Sequence, residues 1–338
     1  MLSLSQYSVN KVNNKVNNDS GDETRMTTAA ATQSATAGGA GYAHPHVLVD
    51  GDWVQAHLSD PNVRLVEVDV DTSAYEKGHL PGAIGFNWQT QLSDTVRRDI
   101  PTKDEWEKLL GSAGIGNGHT VILYGDNNNW FAAFAFWLFQ MFGHSDVRLL
   151  NGGRKKWEAD GRTLVTDASA YPATTYTARE PDQSLRAYRD DILAGLRAGE
   201  FALVDVRSPA EFSGEVIAPA GMTETAQRGG HIPGAANIPW AQAVAEDGTF
   251  KTADQLRELY ANKGVTGDKP IIAYCRIGER SSHSWFALKY LLGYDNARNY
   301  DGSWTEWGSI IGAPIERDAA GPQQHNQPTG TPAAVCPP

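Results

Sequence analysis

Gly78-His79-Leu80-Pro81-Gly82-Ala83 and Gly230-His231-Ile232-Pro233-Gly234-Ala235 are one element written twice, 152 residues apart, and each is followed at equal distance by a tryptophan, Trp88 and Trp240. The repetition continues at an offset of 150. Val121-Ile122-Leu123-Tyr124 matches Ile271-Ile272-Ala273-Tyr274, and Phe136, Gly143, Gly152 and Trp157 match Phe286, Gly293, Gly302 and Trp307. A register kept over that distance marks two copies of one structural unit. Upstream, the strand-like segments that begin at Leu65 and Leu203 are offset by 138, so the second copy carries an insertion between Ser213 and Gly229.

Each copy alternates short β-branched runs with helical stretches, which predicts an α/β fold of two domains, each a parallel sheet flanked by helices. In the second copy, 202–206 reads as a strand, 252–263 as a helix capped by Thr252, and 270–274 as a buried strand. Cys275 then stands just past the C-terminal end of that strand. A helix is expected over 282–292, capped at its start by Ser281 or Ser282 and closed by Gly293. Open α/β sheets bind their ligands at such a strand-to-helix turn. The stretch 166–184, rich in Pro, Thr and Ala, has the composition of a linker. The expected organisation is a disordered tail over 1–45, a first domain over 46–165, the linker, a second domain over 185–316 and a second tail over 317–338.

Composition narrows the functional classes. The chain has 338 residues, 41% of them hydrophobic, enough for about two domains. Its 29 Lys and Arg stand against 40 Asp and Glu, and a formal charge of −11 argues against a general affinity for nucleic acid or an anionic membrane. The longest apolar run, 130–142, is too short to span a bilayer. Two cysteines, Cys275 and Cys336, form neither a disulfide framework nor a thiolate zinc site, so no metal is expected and a reducing, cytoplasmic setting is. The first 45 residues lack a secretory signal, and Met26 is an alternative start. A monomer is expected.

The chemistry concentrates in Tyr274-Cys275-Arg276-Ile277-Gly278-Glu279-Arg280-Ser281-Ser282-His283. The N–H groups and partial positive charge of a helix start favour an anion, and Arg276 and Arg280 add to that field. Such settings lower a cysteine pKa from about 8.5 into roughly the 3.5–7.5 range, which predicts a nucleophilic thiolate at Cys275. Gly278 permits the positive φ that curls backbone N–H groups around a sulfur. Glu279 opposes the trend and must point away or pair with an arginine.

The loop from Cys275 to Arg280 resembles the active-site loop of the rhodanese family, and the two Gly-His-Ile/Leu-Pro-Gly-Ala elements, Asp205-Val206-Arg207 and Asp301-Gly302-Ser303-Trp304 resemble further landmarks of it. The resemblance covers about residues 46–315 and implies two rhodanese-like domains. Only the second would be catalytic, since the first has Gly125-Asp126-Asn127 in place of Cys275-Arg276-Ile277. It implies a thiosulfate sulfurtransferase in which Cys275 attacks the outer sulfur of thiosulfate, sulfite leaves, and a persulfide passes its sulfur to cyanide or to a thiol acceptor such as thioredoxin. No metal or organic cofactor is implied. Arg280 is the candidate to hold the sulfonate, supported by Arg276, with Arg207 facing the same pocket. Ile277, Gly278, Glu279 and Ser281 complete the loop that stabilises the persulfide. Several animal family members carry a second arginine where this chain has Glu211, leaving Arg228 as the candidate substitute.

Three alternatives share parts of this pattern. A 3-mercaptopyruvate sulfurtransferase has the same plan, with a loop of small neutral residues after its cysteine. A cysteine phosphatase needs five residues between Cys and Arg, where this chain has four between Cys275 and Arg280. A persulfide carrier would load sulfur once for a partner protein. His79 and His231 read as structural hydrogen-bonding residues because the copy without a thiol keeps its histidine, and His283 reads as a surface residue.

Overall fold

The apolar β-branched runs pair as parallel strands because each is followed by a helix that carries the chain back across the sheet. The structure is a computed structural model that describes residues 40–221 and 224–318. The first repeat contains β1 (Leu48–Val49), β2 (Val63–Asp69), β3 (Ile84–Asn87), β4 (Thr120–Tyr124) and β5 (Val147–Leu150), arranged β1-β5-β4-β2-β3. The second contains β6 (Ala202–Asp205), β7 (Ala236–Asn237), β8 (Ile271–Tyr274) and β9 (Ala297–Tyr300), arranged β7-β6-β8-β9. All pairings in both sheets are parallel. The registers correspond: Glu67 lies opposite Tyr124, and Asp205 opposite Tyr274. In each repeat that tyrosine hydroxyl accepts from the histidine-proline element, from the N–H of Leu80 and of Ile232, both at 3.1 Å.

The helices after the central strands, Asp126–Met141 and Glu279–Phe286, lie against each other. Asp126–Met141 is apolar nearly all round and buries both faces, one on its own sheet and one on the second repeat. Phe136 and Phe286, equivalent at the offset of 150, meet with ring centroids 4.8 Å apart and planes at 90°. Equivalent helices of the two repeats thus pack on each other through equivalent residues. Such an edge-to-face pair contributes roughly 0.5–1.5 kcal/mol beyond its burial. Trp130 and Trp240 meet nearby at 4.7 Å. The strand ends of both repeats therefore open onto one shared cleft.

Several expectations need correction. The tails over 1–39 and 319–338 and the Met26 start lie outside the described residues, but residues 40–45 do not behave as a tail. The Tyr42 hydroxyl donates to the carbonyl of Lys251 at 3.0 Å, and the N–H of Ala43 donates to Leu291 at 2.9 Å, so this segment straps the second repeat. The stretch 166–184 runs over the first repeat, bonded from Thr174 to Gly111 and from Asp182 to Met141. The helix after Cys275 begins three residues earlier than expected, at Glu279. Gly278 is its N-cap, and neither serine is: the Ser282 hydroxyl bonds back to the Gly278 carbonyl at 2.7 Å. After Phe286 it continues as a wider turn, Ala287–Leu291. His283 is buried rather than exposed, stacked on Phe250 at 4.5 Å, and burial holds its pKa down at about 3. Among the described residues, no helix is long and apolar enough to cross a membrane.

Candidate active site

Cys275 follows β8 directly, and the chain turns through Arg276 and Ile277 to Gly278 before the helix begins. Gly278 is needed twice over, because its φ is +101° and because a Cβ there would stand 2.9 Å from the Cα of Asp301. Ser303 holds the turn from behind: its hydroxyl accepts from the N–H of Cys275 at 3.1 Å and donates to the carbonyl of Tyr300 at 2.6 Å. Ser303 adopts a φ of +52°, which few non-glycine residues take.

The Cys275 sulfur is fully buried. The N–H of Gly278 donates to Sγ at 3.1 Å, the Ser281 hydroxyl lies 3.7 Å away, and Oε2 of Glu279 accepts the S–H at 3.3 Å. The expectation of a lowered thiol pKa is overturned for this resting arrangement. Burial first and the Glu279 carboxylate second push the thiol up, while Arg280 and the hydrogen bonds of Ser281 act the other way. Charges and a helix start can be read from a sequence; the desolvation of a sulfur sealed under its own loop cannot. Glu279 does not turn away. It touches the sulfur with one oxygen and holds the other 3.7 Å from both Arg276 and Arg280.

The arginines divide into two groups. Arg276 and Arg280 line the cleft beside the loop. Arg280 is also clamped by Glu211, whose two oxygens accept from its guanidinium at 2.9 and 3.0 Å. Glu211 holds this position because it closes a capping box with Ser208 on the helix Pro209–Ser213. Arg276 donates to the carbonyl of Glu224 in the insertion. Arg207 does not face the cleft, contrary to expectation. It is fully buried, paired with Asp205 at 2.6 Å, bonded to the carbonyl of Gly230 at 2.8 Å and set over the Trp304 ring. Arg228 is likewise occupied elsewhere, donating to the carbonyls of Gly308 and Ile310. His79 and His231 are structural, as expected, each stacked on an aromatic ring and donating from Nδ1 to a backbone carbonyl.

The opposite wall comes from the first repeat, and sequence reading missed it. A cleft of about 440 Å³ is lined by Trp88, Asp126 and Trp130 from that repeat and by Arg276, Glu279 and Arg280 from the second. Arg98 crosses the seam, bonding to Glu224 at 2.7 Å and to the carbonyl of Ile277 in the loop itself. The available signal was the repeat: at the offset of 150, Trp130 is the equivalent of Arg280 and Asp126 of Arg276. Chemically, the arrangement sets two guanidinium groups and the Glu279 carboxylate in the wall of a cleft that also carries Asp69, Asp71, Asp126 and Glu224, with one sulfur buried under the adjoining loop.

Comparison with known proteins agrees with this geometry. The family description "Rhodanese-like domain" matches residues 50–160 and 189–310. A Haloferax volcanii protein named "Putative thiosulfate sulfurtransferase" is 58% identical over 80% of this chain and 96% of its own length. A Thermus thermophilus protein named sulfur carrier protein TtuD is 57% identical over 82% of this chain and 99% of its own. Among solved structures, a 3-mercaptopyruvate sulfotransferase from Escherichia coli, SseA, aligns with a TM-score of 0.67 and 29% identity over 76% of this chain and 98% of that one.

Proposed function

The chain belongs to the rhodanese family as a tandem-domain sulfurtransferase, and from that premise we propose that it moves the outer sulfur of thiosulfate, through a persulfide on Cys275, to cyanide or a thiol acceptor. The observation that carries this reading is the loop. A single sulfur receives the Gly278 N–H, and Arg276 and Arg280 stand at the cleft beside it. Guanidinium groups match the sulfonate end of thiosulfate in charge and geometry. The thiolate attacks the outer sulfur, the bond to the sulfonate sulfur breaks, and sulfite leaves with its electron pair. The acceptor then removes the outer sulfur and Cys275 is regenerated.

Two neighbouring readings meet different observations. The charged loop favours thiosulfate over 3-mercaptopyruvate, although SseA shares the fold. The relative named as a sulfur carrier favours a protein thiol as acceptor over free cyanide. Steady-state assays separate them. Sulfite release from thiosulfate with repeated turnover is expected. Pyruvate release from 3-mercaptopyruvate at a higher kcat/KM, or one stoichiometric loading without turnover, would replace this reading.

A further inference from the structure

We propose that Glu279 is the proton acceptor for the Cys275 thiol, so that the nucleophile is made by transfer within a buried pair and not by exchange with solvent. The proposal deepens the function just proposed and rests on it for the identity of the attacking sulfur. Oε2 of Glu279 is 3.3 Å from Sγ, on the first residue of the helix whose N-cap, Gly278, donates to the same sulfur. Cys275 and Glu279 are both buried, at 0% and 2% exposure, so the S–H faces the carboxylate and not bulk water. A buried carboxylate needs compensation, and this one has it, with Arg276 and Arg280 each 3.7 Å from Oε1.

The placement explains a contradiction in the loop. Against a thiolate, an ionised Glu279 would be a like charge at contact distance, where it opposes the two arginines. As a proton acceptor it carries no net charge once the thiolate exists, and the pair holds one negative charge throughout. The S–H proton moves to Oε2 as the thiolate forms. The sulfur lone pair attacks the outer sulfur of thiosulfate, the sulfur–sulfur bond breaks and sulfite departs with the bonding electrons. In the second half the acceptor thiolate or cyanide bonds to the outer sulfur, the persulfide bond returns its electrons to Cys275, and Glu279 gives the proton back. Neither half consumes an external oxidant or reductant.

The test uses the full chain and the variants Glu279→Gln and Glu279→Asp, with circular dichroism confirming their fold. The rate of Cys275 alkylation by iodoacetamide, followed by mass spectrometry between pH 6 and 8, needs no thiosulfate and so stands apart from the proposed function. Transfer within the pair predicts a nearly flat profile for the unaltered chain. For Glu279→Gln it predicts a lower rate at pH 6 and a climb of roughly tenfold per pH unit, as for a thiol titrating alone below its pKa. Glu279→Asp should restore part of the flat profile. A carboxylate that merely raises the thiol pKa predicts the opposite, a glutamine variant more reactive at neutral pH. That result, or parallel profiles for the unaltered chain and Glu279→Gln, overturns the proposal. If the alkylation profiles follow expectation while thiosulfate loads no sulfur, the proton transfer stands and the thiosulfate reading falls.

Discussion

The two repeats share a sheet plan, a buried tyrosine and a histidine-proline element, yet their strand-to-helix turns do opposite things with the same backbone. In the second repeat, Gly278 leaves its N–H free to meet the sulfur of Cys275. In the first, the equivalent turn uses its donors internally. The N–H of Gly125 goes to the Asn129 side chain at 3.1 Å and that of Asp126 to Asp69 at 2.8 Å. Three successive asparagines, Asn127 to Asn129, hold φ values of +52°, +52° and +67°, a left-handed run that asparagine tolerates better than most residues. One strand away, Asp69 stands at the offset of 138 from Arg207, so a carboxyl replaces a guanidinium, and at the offset of 150 Trp130 replaces Arg280. The first repeat thus has neither the thiol nor the two cleft-lining arginines of the second, and it forms a wall of the other repeat's cleft.

The largest expected effect tests that asymmetry from both sides. Cys275→Ser should abolish sulfur transfer, by more than about a thousandfold, with unchanged circular dichroism, because an alcohol forms no persulfide. Gly125→Cys should not create a second site. A Cβ at Gly125 would stand 2.4 Å from the Val68 carbonyl and 2.9 Å from Oδ1 of Asp69, so the variant should melt lower and take up no sulfur. Sulfur bound at residue 125 would break the comparison.

Next, Arg280→Ala should raise the KM for thiosulfate and lower kcat/KM by about 10- to 150-fold, corresponding to about 1.5–3 kcal/mol for a charge-assisted hydrogen bond. Part of that loss reflects Glu211, left buried without its partner. The double variant with Glu211→Gln separates the two. Recovered thermal stability without recovered KM is the expected pattern, and an unchanged KM in Arg280→Ala would remove the residue from substrate binding.

A smaller effect belongs to Asp69. Burial, the largest cause, raises its pKa to about 8, above the value near 3.9 of an unfolded chain. Its stabilising contribution is therefore complete below about pH 4 and lost as pH rises through about 8. Asp69→Asn should remove this slope, leaving thermal stability similar at pH 4 and higher by at least about 1 kcal/mol at pH 9. Equal stability changes at both pH values would show that the carboxyl is ionised throughout. Arg98→Ala should cost least, about 0.5–1.5 kcal/mol of loop ordering through the lost bonds to Glu224 and Ile277, read as faster proteolysis near residue 277 and a several-fold drop in kcat.

The fold was legible because the repeat made it so. Two matched Gly-His elements and matched strands leave little choice of architecture, and the turn after Tyr274 marks the site by its residue types alone. What the sequence hid depends on burial and on long-range partners. Arg207 reads like Arg276 in sequence, but Asp205, two residues earlier on β6, takes its charge inside the domain. The turn of Gly278 into the helix puts Glu279 on the sulfur it was expected to avoid. His283 lies in a polar-looking stretch, Ser281-Ser282-His283-Ser284, yet it is buried against Phe250, a residue of its own repeat 33 positions earlier in the chain. Glu211 and Arg98 reach the site from 69 and 179 positions away in the chain, distances over which no local pattern operates.

The central claim is that one sulfur in the chain accepts another. Incubating the intact protein with thiosulfate and then mapping its peptides by mass spectrometry tests this most directly. One added sulfur is expected on the peptide that contains Cys275 and none on the peptide that contains Cys336, reversed by cyanide with release of thiocyanate. A chain that gains no sulfur, or gains it on Cys336 alone, would contradict it.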